Sequence, residues 1–408
     1  MAIGSAGDLF PMLRIALALR QRGHRISVLG PEQHRPYVLQ AGLAFHGEPV
    51  DEAVLDDPRL WHPRHGFGVV WAATRGVAGA LPRFVEALPV AEACVLLVHP
   101  LALPEADLCR AARPDIRVAT VYLAPSNLPT VHDPLMVGPL AVPRWVPAAA
   151  RRWLWRQVGE RLIDPVVLPG VNRERRLRGL SPVRHALGYL LQVPDLSLAL
   201  FPAWFAATQP DWPKPLLHAD FPLYEPDPAA SFTPALAAFL AAGEAPVVFT
   251  PGTGNRQGAA YFQCALQATL RLQRRAIFLT PHAQQVPASL PPGVLWQPYV
   301  PLARLLPECA AIVHHGGIGT TAEALRSGIA QLVVPFAHDQ FDNAARVTAL
   351  GAGQTLPATG LSASRLTRSL RRVLSSRALA VNCRALSSRF APNPDIEQVC
   401  AALVNLPL

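Results

Sequence analysis

The chain has 408 residues; half of them are hydrophobic and 16% are charged. This composition excludes wholesale disorder and predicts about two or three domains with a sizeable core. The formal net charge is +9, carried by arginine because Lys214 is the only lysine, and long blocks of arginine with aromatic residues are absent, so we expect no nucleic-acid partner.

The N-terminal half begins with a strand stub, a loop and a helix. Residues 2–3 are too few for a full strand, so we expect that the given start shortens the first strand. Residues 4–8 predict a glycine-containing loop, and Pro11 suits the first turn of an amphipathic helix that ends at Gly23. Residues 26–29 predict the next strand.

The C-terminal half repeats the alternation of apolar runs with helical periods, which is typical of parallel α/β sheets. A glycine-rich loop at residues 251–258 separates the first predicted strand of this half from a helix. The predicted strands are 246–250, 276–280, 311–314 and 331–335, and the predicted helices include 321–327, which ends at Gly328, and 343–350, which ends at Gly351.

We expect two α/β domains joined by a connection rich in proline and aromatic residues, which spans residues 201–228. The predicted limits are 1–205 for the first domain, 206–230 for the linker, 231–385 for the second domain and 386–408 for a helical tail that returns to the first domain.

Six cysteines are scattered without a Cys-x-x-Cys pair, which favours reduced thiols in a cytoplasmic protein over a disulfide framework or a zinc site. No signal peptide opens the chain, and the most apolar long stretch, residues 187–207, is interrupted by Asp195 and two prolines. We therefore expect a cytoplasmic protein that is at most peripheral at the inner face of a membrane.

A motif at residues 314–323, His-His-Gly-Gly-Ile-Gly-Thr-Thr-Ala-Glu, is followed by the pair Asp339 and Gln340. It resembles the donor-binding motif of the UDP-glycosyltransferase family (family 1), which includes plant and mammalian enzymes and bacterial antibiotic glycosyltransferases. Residues 4–11 resemble the first loop of the same family. The resemblance implies the α/β architecture called GT-B, in which two Rossmann-like domains with parallel sheets face each other across a cleft.

Three further segments resemble, more narrowly, the rhamnosyltransferase B chains of rhamnolipid biosynthesis. They are residues 57–61, 200–206 and 338–344. This narrower resemblance implies transfer of a rhamnosyl group to a hydroxyalkanoyl lipid.

Glycosyl transfer from a nucleotide-sugar leaves negative charge on the departing diphosphate, while the sugar becomes oxocarbenium-like. A glycine-rich turn that leads into a helix offers this charge backbone N–H groups and the positive end of the helix dipole. By the resemblance, the donor-binding residues are His315 and Thr320 at the diphosphate, with Thr253 near it; Glu323 at the ribose; Asp339 and Gln340 at the sugar hydroxyls; Tyr299 stacked on the base; and Gly316, Gly317 and Gly319, which let the phosphates approach the backbone.

The nucleotide base and the need for a metal are separate questions. Leu302 replaces the glutamine of the family motif, which leaves uracil and thymine open, and Trp296 suits either stacking on the base or core packing. The sequence has no Asp-x-Asp motif, and the adjacent residues 314–315 and 338–339 would point to opposite faces of a strand. We expect no metal and no cofactor, since the nucleotide-sugar is a co-substrate.

Asp8 follows the first strand at the carboxyl edge of the N-terminal sheet, where open α/β folds bind their ligands. The resemblance places the catalytic base in this loop; many relatives have histidine there, and a bacterial subset has aspartate. A carboxylate can take the proton of the attacking acceptor hydroxyl. Capping of the following helix is the other role open to Asp8, and His132 with Asp133, or His62 or His65, are alternative bases.

Aromatic residues of the N-terminal half fall where the resemblance places the acceptor cleft. The predicted acceptor-contacting residues are Trp61, Phe67, Trp71, Tyr122 and His132. The aromatic members suit a lipid or an aromatic acceptor, and each also suits a core position. A further segment, Arg-Arg-Trp-Leu-Trp-Arg at 151–156, suits a helix that rests on anionic lipid, or a solvated helix face with buried tryptophan.

Together, the residues and the resemblance predict an inverting, metal-independent glycosyltransferase that moves a hexose or deoxyhexose from a UDP- or dTDP-sugar to a hydroxyl of a lipidic or aromatic acceptor. The main alternative is a non-catalytic nucleotide-sugar-binding partner of another transferase, which would not need Asp8. A Rossmann dehydrogenase is disfavoured because the Gly-x-Gly-x-x-Gly fingerprint is absent. A retaining transferase or epimerase of the same fold is disfavoured by Glu323, Asp339 and Gln340.

Overall fold

The computed structural model describes residues 1–62, 64–89, 93–133, 136–138, 140–227, 231–390 and 395–407. The chain divides into two compact units. Unit 1 comprises Met1–Tyr224 with Asn393–Leu408, and unit 2 comprises Glu225–Pro392.

Unit 1 contains eight strands and nine α-helices within the described ranges. The strands are β1 (Ser27–Pro31), β2 (Ala44–Glu48), β3 (Cys94–Val98), β4 (Ile116–Tyr122), β5 (Met136–Val137), β6 (Leu140–Ala141), β7 (Leu196–Leu200) and β8 (Leu216–Ala219). The helices are α1 (Ala6–Gln21), α2 (Arg35–Gln40), α3 (Gly66–Gly79), α4 (Leu81–Glu86), α5 (Leu103–Ala112), α6 (Ala148–Val158), α7 (Asp164–Leu177), α8 (Ala186–Gln192) and, near the C-terminus, α16 (Ile396–Val404).

The sheet of unit 1 is parallel, with the order β3-β4-β7-β8, and β1 and β2 form a second parallel pair. The first residues lie between these two groups, because Ala2 N–H donates to Leu29 O (3.0 Å) and His99 N–H donates to Met1 O (3.1 Å). The central strands β4 and β7 are almost entirely buried, as expected for a parallel sheet covered by helices. The predicted linker 206–230 thus contributes a strand, β8, to this sheet.

The start of α1 differs from its prediction. The predicted loop at 4–8 is largely helical, since α1 begins at Ala6 and Pro11 lies inside it. Ser5 is the N-cap: its Oγ accepts from Gly7 N–H (3.2 Å), and Asp8 completes a capping box by accepting from Ser5 N–H (2.8 Å). The glycines suggested a loop, but the Ser-x-x-Asp spacing stabilises a helix that begins earlier.

Unit 2 contains six strands and seven α-helices within the described ranges. The strands are β9 (Val247–Thr250), β10 (Ala276–Leu279), β11 (Val294–Gln297), β12 (Ala311–His314), β13 (Gln331–Val333) and β14 (Gly353–Thr355). The helices are α9 (Pro234–Ala241), α10 (Ala259–Leu272), α11 (Leu302–Leu305), α12 (Ile318–Ser327), α13 (Gln340–Ala349), α14 (Ala363–Ser375) and α15 (Arg377–Ser387).

The six strands of unit 2 pair in parallel in the order β11-β10-β9-β12-β13-β14. Counted from the first strand, this order is 3-2-1-4-5-6, the arrangement of a Rossmann sheet. Its core is built from fully buried side chains such as Phe249, Phe262 and Phe278. The predicted α/β fold class with parallel Rossmann-like sheets is confirmed, although α12 and α13 each begin three residues before their predicted starts of 321 and 343.

None of the helices in the described ranges is long and apolar enough to cross a membrane.

The pairing of β13 with β14 predicts a test of packing at a glycine. A Cβ at Gly353 would lie 2.2 Å from Gln331 O, a backbone atom that cannot move aside without disturbing the ladder. Gly353→Ala should therefore lower the free energy of unfolding by about 1–3 kcal/mol, the usual cost of overpacking. Gly293→Ala is the matched control because nothing lies within 4 Å of its Cβ position. Melting temperatures of the two variants measure the difference, and equal values would contradict this account.

Candidate active site

Two loops of unit 2 meet where its strand order reverses. β9 and β12 are neighbours in the sheet, with Thr250 opposite His314, and the chain leaves both strands at the same carboxyl edge. The loop 251–258 follows β9, and the turn 315–317 follows β12. In open α/β sheets ligands bind in the crevice at this reversal. The structure thus brings the loop that contains Thr253 next to the turn 315–317, the predicted phosphate-binding turn, which we call the phosphate loop.

The ring of His315 is enclosed by glycine backbone from both loops. A Cβ at Gly252 would lie 2.8 Å from His315 Nε2, and a Cβ at Gly317 would lie 2.4 Å from the same atom. Gly252 has φ +91°, and Gly316, which lies between His315 and Gly317 in the turn, has φ +92°. Only glycine combines this backbone conformation with space for the imidazole. Gly252 had no role in the sequence prediction, since its contact with His315 joins residues far apart in the chain.

His314 holds the turn from within the sheet. Gly316 N–H donates to His314 Nδ1 (3.1 Å), so the ring proton is on Nε2, which donates to Gln331 Oε1 (3.0 Å). The side chain of His314 is fully buried, and burial lowers its pKa to about 3. A neutral imidazole with a fixed tautomer therefore ties the backbone of the turn to β13.

His315 differs from His314 in having an unsatisfied polar atom. Burial lowers the pKa of His315 to about 4, so its imidazole is neutral at neutral pH. Its Nδ1 is buried without a hydrogen-bond partner among the described residues, as are Thr321 Oγ1 and Asn343 Oδ1 in the same region. Buried polar atoms without partners are rare in folded proteins, and a ligand or water that bonds to them removes the cost. This concentration indicates a ligand site.

The start of α12 adds an anion-binding feature. Gly317 is the N-cap, and the first backbone bond of the helix runs from Thr321 N–H to Gly317 O (3.0 Å). The N–H groups of Ile318, Gly319 and Thr320 therefore precede the helical ladder. Gly319 is exposed, and nothing lies within 4 Å of its Cβ position, which leaves its backbone open to an approaching phosphate.

Glu323 lies one turn into α12 and pairs with Arg326. Its Oε2 accepts from Arg326 Nη2 at 2.5 Å, and its side chain is only 15% exposed. Burial raises the pKa of Glu323, while the nearby guanidinium opposes this shift. The carboxylate is thereby held in place as an acceptor, which is the chemistry predicted for a ribose contact. Arg326 was not identified from the sequence.

Asp339, Gln340 and Asn343 form one hydrogen-bonded group with the phosphate loop. Asn343 Nδ2 donates to Gly316 O and to Asp339 Oδ2, both at 2.8 Å. Gln340 Oε1 accepts from the backbone N–H groups of Phe336 (2.8 Å) and Ala337 (3.1 Å). The side-chain carbonyl of Gln340 thus fixes the backbone of the loop before α13. This is a structural role in addition to the predicted sugar contact. Asn343, which is fully buried, was missed because its partner Gly316 is far from it in sequence.

The remaining predicted donor residues are exposed on the loops of the carboxyl edge. Thr253 is exposed, and its carbonyl is 3.0 Å from His282 Nε2. Tyr299 is 53% exposed in the loop that follows β11. Trp296 donates its indole N–H to Thr280 O (2.9 Å) and packs against the core of unit 2, which favours the packing alternative for this residue. Among the described residues, no three acidic, histidine or cysteine side chains form a cluster that could hold a metal ion.

Asp8 lies in unit 1, in the first turn of α1, shortly after the stub at residues 2–3. Its Oδ2 accepts from Ser5 N–H (2.8 Å) and Ser5 Oγ (3.0 Å), whereas its Oδ1 has no partner within the described ranges. His34 Nε2 donates to Gly4 O (3.0 Å), and the negative charge of Asp8 opposes the lowering of the pKa of both His34 and His99 that desolvation causes. Both roles considered for Asp8, helix cap and base, are therefore compatible with its geometry.

The alternative bases lie elsewhere in unit 1. His132 is exposed, its backbone N–H donates to Thr130 Oγ1 (3.1 Å), and Asp133 pairs with Arg144 (3.5 Å). His62 and His65 are exposed with ring centroids 4.7 Å apart. The structure holds none of these imidazoles against a buried carboxylate, so it gives no reason to prefer them to Asp8.

Several of the predicted acceptor aromatics lie in the core instead of at a surface. Trp71, on α3, is 6% exposed and packs against α7 and α8, and Tyr122 is 2% exposed at the end of β4. Trp61 and Phe67 are partly buried. Trp71 and Tyr122 therefore occupy core positions, the alternative considered for each aromatic residue. Trp71 is buried on a helix face, and Tyr122 is buried on a central strand.

A pocket of about 310 Å³ in unit 1 was not foreseen from the sequence. Apolar walls come from Val131, Trp155 and Leu187, and Arg152 and Arg156 extend from the same helix, α6, as Trp155. Asp164 and Asp211 also line it, but their carboxylates accept backbone N–H groups and the Thr130 hydroxyl. The segment Gly159–Ile163 at its edge is a π-helix, a rare geometry that is frequent at functional sites.

Comparison with known proteins gives the family. Residues 266–406 match the family described as erythromycin biosynthesis protein CIII-like, C-terminal domain. The chain is 30% identical over 364 residues to the L-demethylnoviosyl transferase of Streptomyces niveus, with 86% of this chain and 82% of the relative covered. It is 29% identical over 432 residues to the O-mycaminosyltylonolide 6-deoxyallosyltransferase of Streptomyces fradiae, with 99% and 96% covered.

A solved structure shares the whole fold. The spinosyn rhamnosyltransferase SpnG complexed with thymidine diphosphate has a TM-score of 0.65 to this chain at 24% identity, with 100% of both chains covered. The predicted GT-B fold is thus confirmed, and the dehydrogenase and non-catalytic alternatives are set aside. These relatives give no support to the narrower resemblance to rhamnolipid rhamnosyltransferase B chains. The chain belongs to the family 1 glycosyltransferases of GT-B fold, as a nucleotide-sugar-dependent enzyme of the erythromycin CIII-like, secondary-metabolite type.

Proposed function

We propose that this glycosyltransferase moves a deoxyhexose or hexose from a dTDP- or UDP-sugar to a hydroxyl of an apolar acceptor, with inversion and without a metal ion. The observation that carries the donor half is the buried, unpartnered Nδ1 of His315 beside the open N-terminus of α12. An anion placed there would gain a ring N–H bond together with the helix-end N–H groups.

The donor diphosphate would be held by neutral groups. Because the pKa of His315 is lowered to about 4, its imidazole contributes a hydrogen bond and no positive charge at neutral pH. The developing charge of the leaving group is then met by the ring N–H, the Thr320 hydroxyl and the helix dipole, all fixed before the reaction. Glu323 would accept from the ribose, and Asp339 and Gln340 from the sugar. This set of contacts leaves no step that needs a cation.

Asp8 would act as the general base. Its Oδ2 is occupied by Ser5, and its Oδ1 is available to take the proton of the acceptor hydroxyl. A single carboxylate in this role fits one displacement, in which the acceptor oxygen attacks the anomeric carbon from the face opposite the diphosphate. Direct attack of this kind inverts the anomeric configuration.

The choice of nucleotide and sugar is supported by the relatives. One relative is named a 6-deoxyallosyltransferase, and the solved neighbour SpnG is a rhamnosyltransferase complexed with thymidine diphosphate. These names favour a dTDP-deoxyhexose over a UDP-hexose for this chain. Tyr299, half exposed on the loop after β11, would stack on the pyrimidine.

The pocket in unit 1 is the proposed acceptor site. Its volume of about 310 Å³ lies at the lower end of the range for ligand pockets, and its walls are mostly apolar. Of its lining residues, Thr130 lies in the loop after β4, and Asp211 lies in the connection between β7 and β8. A lipidic or aromatic acceptor suits these walls. Rhamnosyl transfer to a hydroxyalkanoyl lipid remains one narrow case of this proposal.

A donor panel tests the proposal. The purified protein is mixed with UDP-glucose, UDP-GlcNAc, dTDP-glucose or dTDP-rhamnose, and its melting temperature is compared with that of the free protein. A donor at a hundred times its dissociation constant stabilises the protein by about 2.7 kcal/mol, and we expect this from a dTDP-sugar. Turnover of the bound donor should persist in excess EDTA. Strict dependence on Mg²⁺ or Mn²⁺, or stabilisation by none of the donors, would contradict the proposal.

Replacement of His315 should damage the donor site specifically. His315→Ala removes one preorganised donor to the leaving group, so we expect weaker nucleoside-diphosphate binding and a loss of turnover on the order of 10²-fold or more. His315→Gln keeps a side-chain N–H and should retain part of the activity. His24→Ala, at an exposed histidine of unit 1, is the control. Isothermal titration with dTDP and UDP, together with turnover, gives the comparison; normal values for His315→Ala would show that the diphosphate binds elsewhere.

Asp8 and Ser5 together separate catalysis from capping. Asp8→Asn keeps a side-chain oxygen that can accept from Ser5 in the capping box, but it removes the basic carboxylate. We expect a near-normal melting temperature and nucleotide affinity, with transfer reduced by about 10²–10⁴-fold. Ser5→Ala should show the opposite pattern, with stability lowered by about 1 kcal/mol and transfer largely retained. Full activity of Asp8→Asn would move the base to another residue, with His132 the next to test.

A further inference from the structure

The two exposed tryptophans of the chain lie close together in sequence. Of eight tryptophans, only Trp145 and Trp153 are exposed, at 83% and 52%. Leu140, at the β5–β6 hairpin just before them, is 72% exposed. Large apolar side chains on the surface mark an interaction site when they are concentrated in one place. Residues 140–156, which we call the α6 segment, therefore concentrate exposed apolar side chains in one stretch of unit 1.

The orientation of helix α6 explains why part of it stays exposed. On one side, Trp155 donates its indole N–H to Thr130 O (2.9 Å), and Arg151, which is 8% exposed, reaches His132 O (3.5 Å). These contacts fasten the helix to the loop after β4. Arg152, Trp153 and Arg156 are all exposed, and their spacing places them on one helical face. The fold thus uses one arginine and tryptophan of the motif internally and presents the others outward.

The charge of the α6 segment is entirely positive. It contains four arginines and no acidic residue. Arg152 has no hydrogen-bond or ion-pair partner within the described ranges, and the side chain of Arg144 is 74% exposed despite its 3.5 Å contact with Asp133. Arg156 meets Glu160 only at 3.9 Å, with its side chain 63% exposed. These guanidinium groups are available to external phosphates.

We propose that the α6 segment docks this enzyme onto an anionic lipid bilayer. Tryptophan is favoured at the level of lipid headgroups, where its ring is buried and its N–H remains hydrated. Arginines beside it attract the negatively charged lipid surface. The exposed leucine at the hairpin and the partly buried Val142, Val146 and Leu154 favour lipid over a nucleic acid, which would use the arginines and aromatic rings but gain nothing from aliphatic side chains.

The docking surface borders the proposed acceptor pocket. Arg152 and Arg156 belong to both, since they line the pocket from the same helix that carries Trp153. An apolar acceptor dissolved in the bilayer would therefore meet the pocket at the membrane surface. This consequence rests on the proposed acceptor site, whereas membrane docking itself does not depend on it.

Vesicle co-sedimentation tests the docking. The whole protein is mixed with vesicles of phosphatidylcholine and phosphatidylglycerol, with pure phosphatidylcholine vesicles as the reference. We expect binding to the anionic vesicles that weakens as salt is added, together with a blue shift of tryptophan emission. The variant Trp145→Ser/Trp153→Ser should lose the shift and most of the binding. The variant Arg144→Gln/Arg152→Gln should bind about 25-fold more weakly, since each surface arginine contributes roughly fivefold.

The matched control removes the same charge elsewhere. Arg368→Gln/Arg371→Gln changes two exposed arginines on α14 in unit 2 and should bind anionic vesicles like the wild type. Melting temperatures confirm that each variant is folded. Absence of binding to anionic vesicles, an equal loss in the α14 control, or tighter binding to a single-stranded polynucleotide than to vesicles would each overturn the proposal. Because dTDP affinity is measured separately, such a result leaves the proposed donor site standing.

Discussion

The close approach of the Gly252 backbone to the His315 imidazole is the constraint on which the proposed donor site depends. The strand order of the sheet reverses between β9 and β12, which makes these two strands neighbours. Two loops that are far apart in sequence therefore leave the sheet side by side. Gly252 and Gly317 give the ring its space, and the bond from Gly316 N–H to His314 fixes the turn that carries it. The ring has little freedom to lose when a ligand binds, which is the preorganisation that electrostatic catalysis requires.

Hydrogen bonds also hold the phosphate loop in place against the loop before α13. Asn343 is fully buried, and its amide donates to both Gly316 O and Asp339 Oδ2, so the turn and the proposed sugar-binding carboxylate share one partner. The side-chain carbonyl of Gln340 accepts hydrogen bonds from two backbone N–H groups. A shift of either loop would break hydrogen bonds to buried groups, among them the Asn343 amide and the Gly316 carbonyl, which is costly. The proposed phosphate-binding and sugar-binding residues are therefore fixed relative to each other by hydrogen bonds within unit 2.

Local patterns in the sequence were sufficient to predict the strands and the glycine-rich turn. They were insufficient to predict the role of a residue that depends on a partner distant in sequence. The strands around His314 and Thr250 were predicted within a residue or two because continuous apolar runs mark buried parallel strands. The start of α1 was placed too late since Gly4 and Gly7 outweighed the Ser5 and Asp8 capping pair. Trp71 and Tyr122 were expected at the acceptor because an aromatic residue suits either a core or a ligand, and only the packing around it decides.

The geometry of Asp8 shows how a helix cap and a base can be one residue. Both hydrogen bonds from Ser5 converge on Oδ2, and Gly4, with φ +111°, leaves the room this oxygen needs, because a Cβ there would lie 2.4 Å from it. The cap therefore immobilises the carboxylate through one oxygen and leaves Oδ1 directed by the same rigid group. A base held in this way has lost its rotational freedom during folding, so that entropy does not have to be lost again when the acceptor hydroxyl arrives. In the proposed mechanism, helix capping and proton transfer are successive uses of one hydrogen-bonded turn.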